Sequence, residues 1–329
     1  MIRQEFADCR AKAPSLQCTI MVADCAVELI VHGAEAARHL DGVFRHVRTI
    51  AATAPRLRIE IAQTAESYPS ALSVPPPGTV AVQLDGPHAV ELHTSLATVL
   101  DRDAGQATAI AGRLAELPSA HLSHPFAHLF GWLGAQRQAY VSHGAAIGRD
   151  GRGLLFAGSG GQGKSTTALA CAAAGWSFAG DDFVMLDLQA DGSYVAHALY
   201  ATGRLHPAQA ERFPALVERW DRTLSPEDNK LTLFPRDGAV SLVRRLTIDA
   251  IVLPMVGTGI EEVAPLPRSA ALRALMADSV RIYPWLTRER MQFYAAAVEV
   301  LPCYALRVGP GIADIPGAVD RLLDRVRRR

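Results

Sequence analysis

One stretch decides the fold of this chain, and it reads Leu154-Leu155-Phe156-Ala157-Gly158-Ser159-Gly160-Gly161-Gln162-Gly163-Lys164-Ser165-Thr166. An apolar run breaks into glycines and continues with helical spacing, which predicts a strand, a loop and a helix. Gly158 to Ser165 fit G-x-x-x-x-G-K-[ST], in which backbone N–H groups cradle a polyphosphate, the lysine reaches the β- and γ-phosphates and the hydroxyl binds Mg²⁺. The helix N-terminus attracts the same anion. We therefore predict that the nucleotide contacts Gly158, Ser159, Gly160, Gly161, Gln162, Gly163, Lys164, Ser165 and Thr166.

The glycines from Gly158 to Gly163 also fit the dinucleotide fingerprint G-x-G-x-x-G, and Asp181-Asp182 lie near the spacing of a ribose-binding acid. Three features favour the phosphate loop. Lys164-Ser165 follow the last glycine directly. A further apolar run, Phe183 to Leu186, follows the acids where a dinucleotide fold would turn into a helix. The strand before the glycines reads as the second arm of a hairpin around the turn pair Asp150-Gly151.

The acids Asp181 and Asp182 come at the end of the strand that follows the phosphate-loop helix. Ligands of open α/β sheets bind at the carboxyl ends of strands, so both acids are expected beside the loop. Phosphoryl transfer needs a carboxylate for Mg²⁺ and, for a hydroxyl acceptor, one that accepts its proton. Because adjacent residues of an extended segment point in opposite directions, the alternative is that one acid of the pair is structural.

Two cationic or titratable side chains complete the predicted site. His143 precedes the hairpin, whose geometry returns it toward the mouth of the loop, so we predict a role near the phosphates or the metal; a structural role is the alternative. Arg204 lies in residues 201–207, which read as a loop, and is a candidate cation facing the phosphates.

The 329 residues are long enough for two domains. Residues 1–118 read as a β-rich α+β module, with strands at 19–22, 27–31 and 56–61, a helix from Ala34 to Val47 and an extended stretch at 75–78. Residues 119–329 form the second predicted domain, which carries the phosphate loop. The turn-rich residues 221–238 are either an active-site segment or a solvated surface loop.

Composition excludes several classes of protein. The formal net charge is zero, so there is no overall basic field for nucleic acid. No apolar run approaches the length of about 18 residues that a membrane span needs. The five cysteines show no C-x-x-C spacing, which is typical of buried thiols in a reducing cytosol. We therefore expect a cytoplasmic protein.

Three histidines, His121, His124 and His128, fall close together in a segment with helical apolar spacing. They could share a helix face as a metal cluster. The sequence favours solvated or helix-packing histidines, because Pro125 would break the helix between His124 and His128.

The order His-Gly, hairpin, phosphate loop, helix and aspartate pair resembles the HPr kinase/phosphorylase family. The residues that carry the resemblance are His143 to Ile147, Leu155 to Thr166 and Ala174 to Asp182. This family shares its kinase fold with phosphoenolpyruvate carboxykinase, so the resemblance implies an α/β phosphate-loop kinase domain of that type behind the smaller α+β module. No run like Glu-Ile-Arg-Gly-Leu-Gly follows the aspartates. The layout is more similar to divergent bacterial relatives, some of which phosphorylate a serine of ribosomally made precursor peptides such as those of lasso peptides.

The resemblance also implies roles for individual residues. Lys164 would bind the β- and γ-phosphates, while Ser165 and Asp181 would hold Mg²⁺. Asp182 would be the base toward a serine hydroxyl, with the reverse order of the two acids left open, and His143 would line the transfer site.

These observations predict an ATP- and Mg²⁺-dependent kinase that phosphorylates a serine-type hydroxyl of a peptide or small protein, which the first module would recognise. A nucleotide-binding module that controls a partner without phosphoryl transfer is the alternative, and a dinucleotide oxidoreductase is less favoured. The sequence leaves open the acceptor, a reverse phosphorylase activity, the donor (ATP, another triphosphate or pyrophosphate) and whether the chain forms a homo-oligomer.

Overall fold

The structure is a computed structural model of the chain, and it describes residues 6–7, 10, 13–50, 53–64, 81–93, 95–117, 119–211, 213–225, 229–256, 262–277, 279, 288–309 and 311–327. The chain forms two compact units, Met1–Leu129 and Phe130–Arg329. The sequence analysis put the boundary between residues 118 and 119. Both units mix helices and strands, in agreement with the predicted α/β class.

Unit 1 is built around one sheet of eight strands, ordered β3-β1-β2-β4-β8-β7-β6-β5. Its elements are β1 (Leu16–Val22), β2 (Cys25–His32), α1 (Ala34–Phe44), β3 (Arg48–Thr49), β4 (Leu57–Gln63), β5 (Ala81–Asp85), β6 (His88–His93), β7 (Leu96–Asp101), β8 (Gln106–Ala111) and α2 (Ser119–Ser123). The pairs β2–β4 and β4–β8 are parallel, and β5 to β8 form antiparallel neighbours.

The predicted strands at 19–22, 27–31 and 56–61 are present as β1, β2 and β4. The helix predicted from Ala34 to Val47 ends earlier, at Phe44, and is followed by a 3₁₀ turn. The extended stretch predicted at 75–78 lies outside the described residues.

The chain passes from unit 1 to unit 2 within helix α3 (Ala127–Ala135). The predicted break at Pro125 is present, since α2 ends at Ser123 and Phe126 adopts a φ of 61° before α3 begins. The three histidines therefore do not share one helix face, as the sequence favoured.

Unit 2 contains a nine-stranded sheet and a separate three-stranded sheet, β14-β16-β15. Its elements are β9 (Tyr140–Arg149), β10 (Arg152–Ala157), α4 (Lys164–Ala173), β11 (Ser177–Gly180), β12 (Phe183–Leu188), β13 (Tyr194–Ala198), β14 (Gly203–Leu205), α5 (Pro207–Glu211), α6 (Pro214–Arg219), β15 (Trp220–Ser225), β16 (Lys230–Pro235), β17 (Ser241–Leu242), β18 (Arg245–Val256), β19 (Glu262–Pro265), α7 (Arg268–Met276), α8 (Arg288–Val300), β20 (Cys303–Val308) and α9 (Ile315–Arg327).

Strand β9 organises the large sheet because it changes partners along its length. Tyr140 to His143 pair with β12 and Ala146 to Gly148 pair with β11, while Gly144 to Arg149 also pair with β10. The hairpin of β9 and β10 was predicted from Asp150-Gly151, and both residues have positive φ angles, 53° and 76°, as a type I′ turn requires.

Helix α4 lies in the hydrophobic core of unit 2. Its residues Ala168 to Ala172 are all buried, together with side chains of β9, β10, β18 and α9. Gly175 ends the helix with a φ of 88°, and the N–H of Trp176 donates to the Cys171 carbonyl at 3.0 Å, which is the bonding pattern of a glycine-terminated helix. The core thereby fixes the position of the loop that precedes α4.

The structure differs from the prediction in two segments of unit 2, which contain strands. Residues 201–207, predicted as a loop, include the short strand β14, which pairs with β16 and so holds Arg204 in a sheet. Most of residues 221–238 form β15, β16 and the turn after them, while 226–228 lie outside the described residues. Among the described helices, none has the length and apolar character needed to cross a membrane.

Candidate functional site

The loop between β10 and α4 begins at a position that only glycine fits. Gly158 has a φ of 143°, and a Cβ atom there would lie 2.2 Å from Gln162 Oε1 and 2.8 Å from Leu253 Cδ1. Gln162 Oε1 also accepts a hydrogen bond of 2.6 Å from the Ser159 N–H. The Gln162 side chain thus stabilises the start of the loop through a hydrogen bond within the loop itself.

The middle of the loop is open. A Cβ atom at Gly160 or Gly161 would meet no other atom within 4 Å, while Gly161 and Gly163 have φ angles of 82° and 97°. These backbone conformations, which L side chains rarely adopt, let consecutive N–H groups form a concave surface for an anion.

Lys164 opens helix α4 and lies over the loop. Its side chain is buried, with 5% of the residue exposed. Nζ donates to the carbonyl oxygens of Gly158 at 2.7 Å and Ser159 at 3.1 Å. Thr166, also in the first turn, is buried, and its hydroxyl lies 3.5 Å from Gln209 Oε1.

Asp181 follows β11 and is fully buried. One of its oxygens, Oδ2, accepts a hydrogen bond of 3.0 Å from the Arg204 N–H, and the carboxylate also accepts one from the Ser165 hydroxyl. Oδ1 is buried without a hydrogen-bond partner among the described residues. Burial, reinforced by the negative charge of Asp182, raises the pKa of Asp181 to about 6.

Asp182 sits in a tight turn and not in the extended segment assumed from the sequence. Its φ is 61°, and the Phe183 N–H donates to the Asp181 carbonyl at 2.7 Å across it, the bond of a γ-turn. Aspartate adopts a positive φ more readily than most residues, both in turns and at functional sites. The turn makes the alternation argument inapplicable, because the two acids are not consecutive residues of a strand.

The Asp182 carboxylate lies between the imidazole of His143 and the guanidinium of Arg204. His143 Nε2 is 3.6 Å from Oδ1, and Arg204 Nη1 is 3.7 Å from Oδ2. All three side chains are largely buried. The separations are those of ion pairs and exceed direct hydrogen-bond lengths.

The partner change of β9 explains why His143 reaches this position. His143 is paired in register with Phe183 of β12, and the next residue, Gly144, donates its N–H to the Asp182 carbonyl at 3.0 Å. The His143 N–H donates to Ser279 Oγ at 3.0 Å, and this buried serine in turn donates to the Leu275 carbonyl. Sequence reasoning missed Ser279, which no motif marks.

The structure therefore brings together Ser165, Asp181, Asp182 and His143, with Arg204 beside both acids, and Lys164 is the first residue of the helix that follows the loop. The donor set fits a nucleoside triphosphate with Mg²⁺: the exposed glycines of the loop and a lysine suit phosphate oxygens, while a hydroxyl and a buried carboxylate oxygen that has no hydrogen-bond partner among the described residues suit a hard cation.

Parts of the chain are similar to one protein family and to solved structures. The family described as SynChlorMet cassette protein ScmC matches residues 132–215, a stretch shorter than half of the chain that includes the loop and both acids. No curated protein matches the sequence significantly. Among solved structures, the Hpr(Ser) kinase/phosphatase from Coxiella burnetii is similar over 57% of this chain and 96% of its own, with 10% identity and a TM-score of 0.29. A score this low supports neither a common fold nor a common function.

Proposed function

We propose that unit 2 is a phosphotransferase that moves the γ-phosphoryl group of ATP, with Mg²⁺, to a serine-type hydroxyl of a peptide or small protein. The observation that carries the proposal is the arrangement of the acid pair. Asp181 is hydrogen-bonded to Ser165 of the phosphate loop, whereas Asp182 faces His143 and Arg204.

The loop supplies the part that binds the triphosphate. Gly160 and Gly161 leave the backbone accessible, and Lys164 can exchange its two carbonyl acceptors for phosphate oxygens. Because a lysine bound to its own loop is desolvated already, the exchange replaces neutral acceptors by charged ones, which make stronger hydrogen bonds.

Ser165 and Asp181 are the residues that would hold Mg²⁺. The ion, when bound, neutralises charge that develops on the phosphate oxygens. Asp181 must be ionised to bind the ion, and its environment opposes ionisation: it is fully buried and stands beside Asp182. A bound cation would offset this penalty, because its positive charge favours the ionised form of Asp181.

Asp182 is the proposed general base. The acceptor O–H attacks the γ-phosphorus, the bond from that phosphorus to the bridging oxygen of ADP breaks, and the proton of the hydroxyl passes to the Asp182 carboxylate. The products are a phosphate ester and ADP. His143 and Arg204 lie on either side of the carboxylate and would orient it, and Arg204 also places a positive charge near the transferred group.

The alternative of a dinucleotide oxidoreductase receives less support. The strand before the glycines is antiparallel to β9, and the acids lie in a turn that leads directly into β12. Asp181 is engaged with Ser165, which leaves it poorly placed for a ribose. The order of these elements supports a divergent relative of the HPr kinase/phosphorylase family with a phosphoenolpyruvate carboxykinase-like fold. Recognition of a precursor peptide by unit 1 belongs to the same proposal.

The test is to incubate the purified full chain with γ-labelled ATP, Mg²⁺ and serine-containing peptides, including any short peptide encoded beside its gene. We expect label in a base-labile, acid-stable serine ester, and the same assay with Asp182→Asn as the matched control should incorporate label about 10²- to 10⁴-fold more slowly. Nucleotide binding by calorimetry without transfer to any of these hydroxyls would reject the kinase and support an ATP-dependent regulatory module instead.

A further inference from the structure

A second cluster of chemically active side chains lies in unit 1. Glu91 and His93 are two residues apart on β6 and therefore project from the same face of the strand. His128 is in the first turn of α3. His128 Nδ1 lies 2.6 Å from Glu91 Oε1, and His93 Nε2 contacts the same oxygen.

The cluster is enclosed. His93 is almost fully buried, and only 13% of the Glu91 side chain and 18% of the His128 side chain are exposed. One ligand atom from each of the three residues lies within 4.8 Å of the other two. Burying a carboxylate and two imidazoles this close together is costly unless the charge is compensated.

Two nitrogens and one carboxylate oxygen form a recognised ligand set. Two histidines and one glutamate bind Zn²⁺ with a fourth position open, and the same set binds other first-row transition ions. Imidazole nitrogens disfavour Mg²⁺ and Ca²⁺, which prefer oxygen ligands. The ligand atoms converge on one small volume, so an ion could bridge them after a shift of a few tenths of an ångström to about 1 Å, given Zn–N distances of about 2.0 Å.

A fourth side chain supports His93 from behind. His121 of α2 places Nε2 2.8 Å from Nδ1 of His93, the nitrogen that faces away from Glu91. Histidines that bind a metal almost always donate their second N–H to an acceptor, usually a carboxylate, a backbone carbonyl or water, which fixes the tautomer and the ring orientation; here the acceptor is an imidazole nitrogen. With His93 Nδ1–H donating to His121, the Nε2 lone pair is directed at the cluster.

We propose that unit 1 binds one divalent transition ion of the zinc class through Glu91, His93 and His128, with His121 as a positioning residue and one coordination position left for water or a ligand. The competing arrangement is a metal-free chain of hydrogen bonds through the same four side chains. The two differ in one measurable respect, because only the first binds an ion stoichiometrically.

The experiment uses the full chain without an affinity tag, stripped with a chelator and kept in excess Mg²⁺ so that the phosphate-loop site takes no other cation. Zn²⁺ binding is measured by calorimetry, and Co²⁺ serves as a spectroscopic probe. We expect one equivalent of either ion, a visible Co²⁺ band without a thiolate charge-transfer band, and a higher melting temperature with Zn²⁺.

Variants then locate the ion. Glu91→Gln and His128→Asn should each weaken Zn²⁺ binding by more than about 100-fold, and His121→Ala by about 10- to 100-fold, the range for partners of metal-binding histidines. The matched control is His88→Gln, which removes a half-exposed histidine from the same strand and should bind like the wild type.

Two results would overturn the proposal. One is a wild-type protein that shows no visible Co²⁺ band at stoichiometric Co²⁺, an outcome that does not depend on whether any variant folds. The other is equal Zn²⁺ affinity in the cluster variants and in His88→Gln. Neither result bears on phosphoryl transfer by unit 2, since the ligands all belong to unit 1.

Discussion

The Ser165 hydroxyl donates a hydrogen bond to the Asp181 carboxylate, and this bond joins the first turn of α4 to the end of β11. Ser165 is half-buried and Asp181 is fully buried, and Asp181 Oδ1 has no hydrogen-bond partner among the described residues. The two groups that a phosphate-bound Mg²⁺ would use are therefore already in contact.

Lys164→Ala should weaken ATP binding by about 10- to 100-fold, because each charge-assisted hydrogen bond contributes about 1.5–3 kcal/mol. The measurement is calorimetric titration with a non-hydrolysable ATP analogue and Mg²⁺. Arg149→Ala is the charge-matched control, since Arg149 pairs with Asp320 in an exposed ion pair of the same unit and should leave affinity unchanged. Retained affinity in Lys164→Ala would favour the dinucleotide interpretation.

Asp182→Asn should lower the rate of phosphoryl transfer by about 10²- to 10⁴-fold, the usual contribution of a general base, while ATP affinity changes little. Asn is nearly isosteric and keeps the turn, in which asparagine tolerates a positive φ. The measurement is the rate of phosphoryl transfer and the ATP affinity of the variant and the wild type, each determined on the same preparation. The two acids have the opposite roles if Asp182→Asn retains phosphoryl transfer while Asp181→Asn abolishes phosphoryl transfer and leaves Mg²⁺-dependent ATP binding unchanged.

Gly158→Ala and Gly160→Ala should differ although both add one methyl group. At Gly158 the Cβ would clash with Gln162 and the φ of 143° is unfavourable, so the free energy of unfolding should fall by about 1–3 kcal/mol. At Gly160 the Cβ meets nothing within 4 Å, so stability should be retained while ATP affinity drops. Denaturant titration with and without ATP distinguishes them; equal loss of stability would contradict this account of the loop.

Local signals in the sequence were sufficient for the elements around the phosphate loop. Asp150-Gly151 specifies its hairpin through two positive φ angles, and Gly175 specifies the end of α4, because these are properties of a few consecutive residues. The γ-turn at Asp182 could not be predicted in this way. It lies between β11 and β12, which both pair with β9, and this is a tertiary relationship.

The tertiary contacts of the histidines also could not be predicted from the sequence. The helix break at Pro125 was predicted from the sequence, but the contacts of His121 and His128 with His93 and Glu91 of a distant strand were not. His124 lies beside its neighbour Ser123, with 3.1 Å between Nδ1 and the hydroxyl. Contacts between residues about 30 positions apart leave no periodic pattern in a single sequence.

Asp181→Asn should stabilise the nucleotide-free protein above pH 6 while it weakens Mg²⁺-dependent ATP binding. Burial and the charge of Asp182 raise the pKa of Asp181 from 3.8 to about 6. The folded protein therefore holds a proton that the unfolded chain has already released in this interval, so the free energy of unfolding falls as the pH rises from 3.8 to about 6. A neutral asparagine avoids that loss. Its advantage in melting temperature should be greatest above pH 6 and should shrink as the pH falls toward 3.8. Thermal melts across this range, with the exposed Asp103→Asn as control, test the sign: a gain that is independent of pH, or one that grows at low pH, would show that ionisation of Asp181 is not what burial opposes.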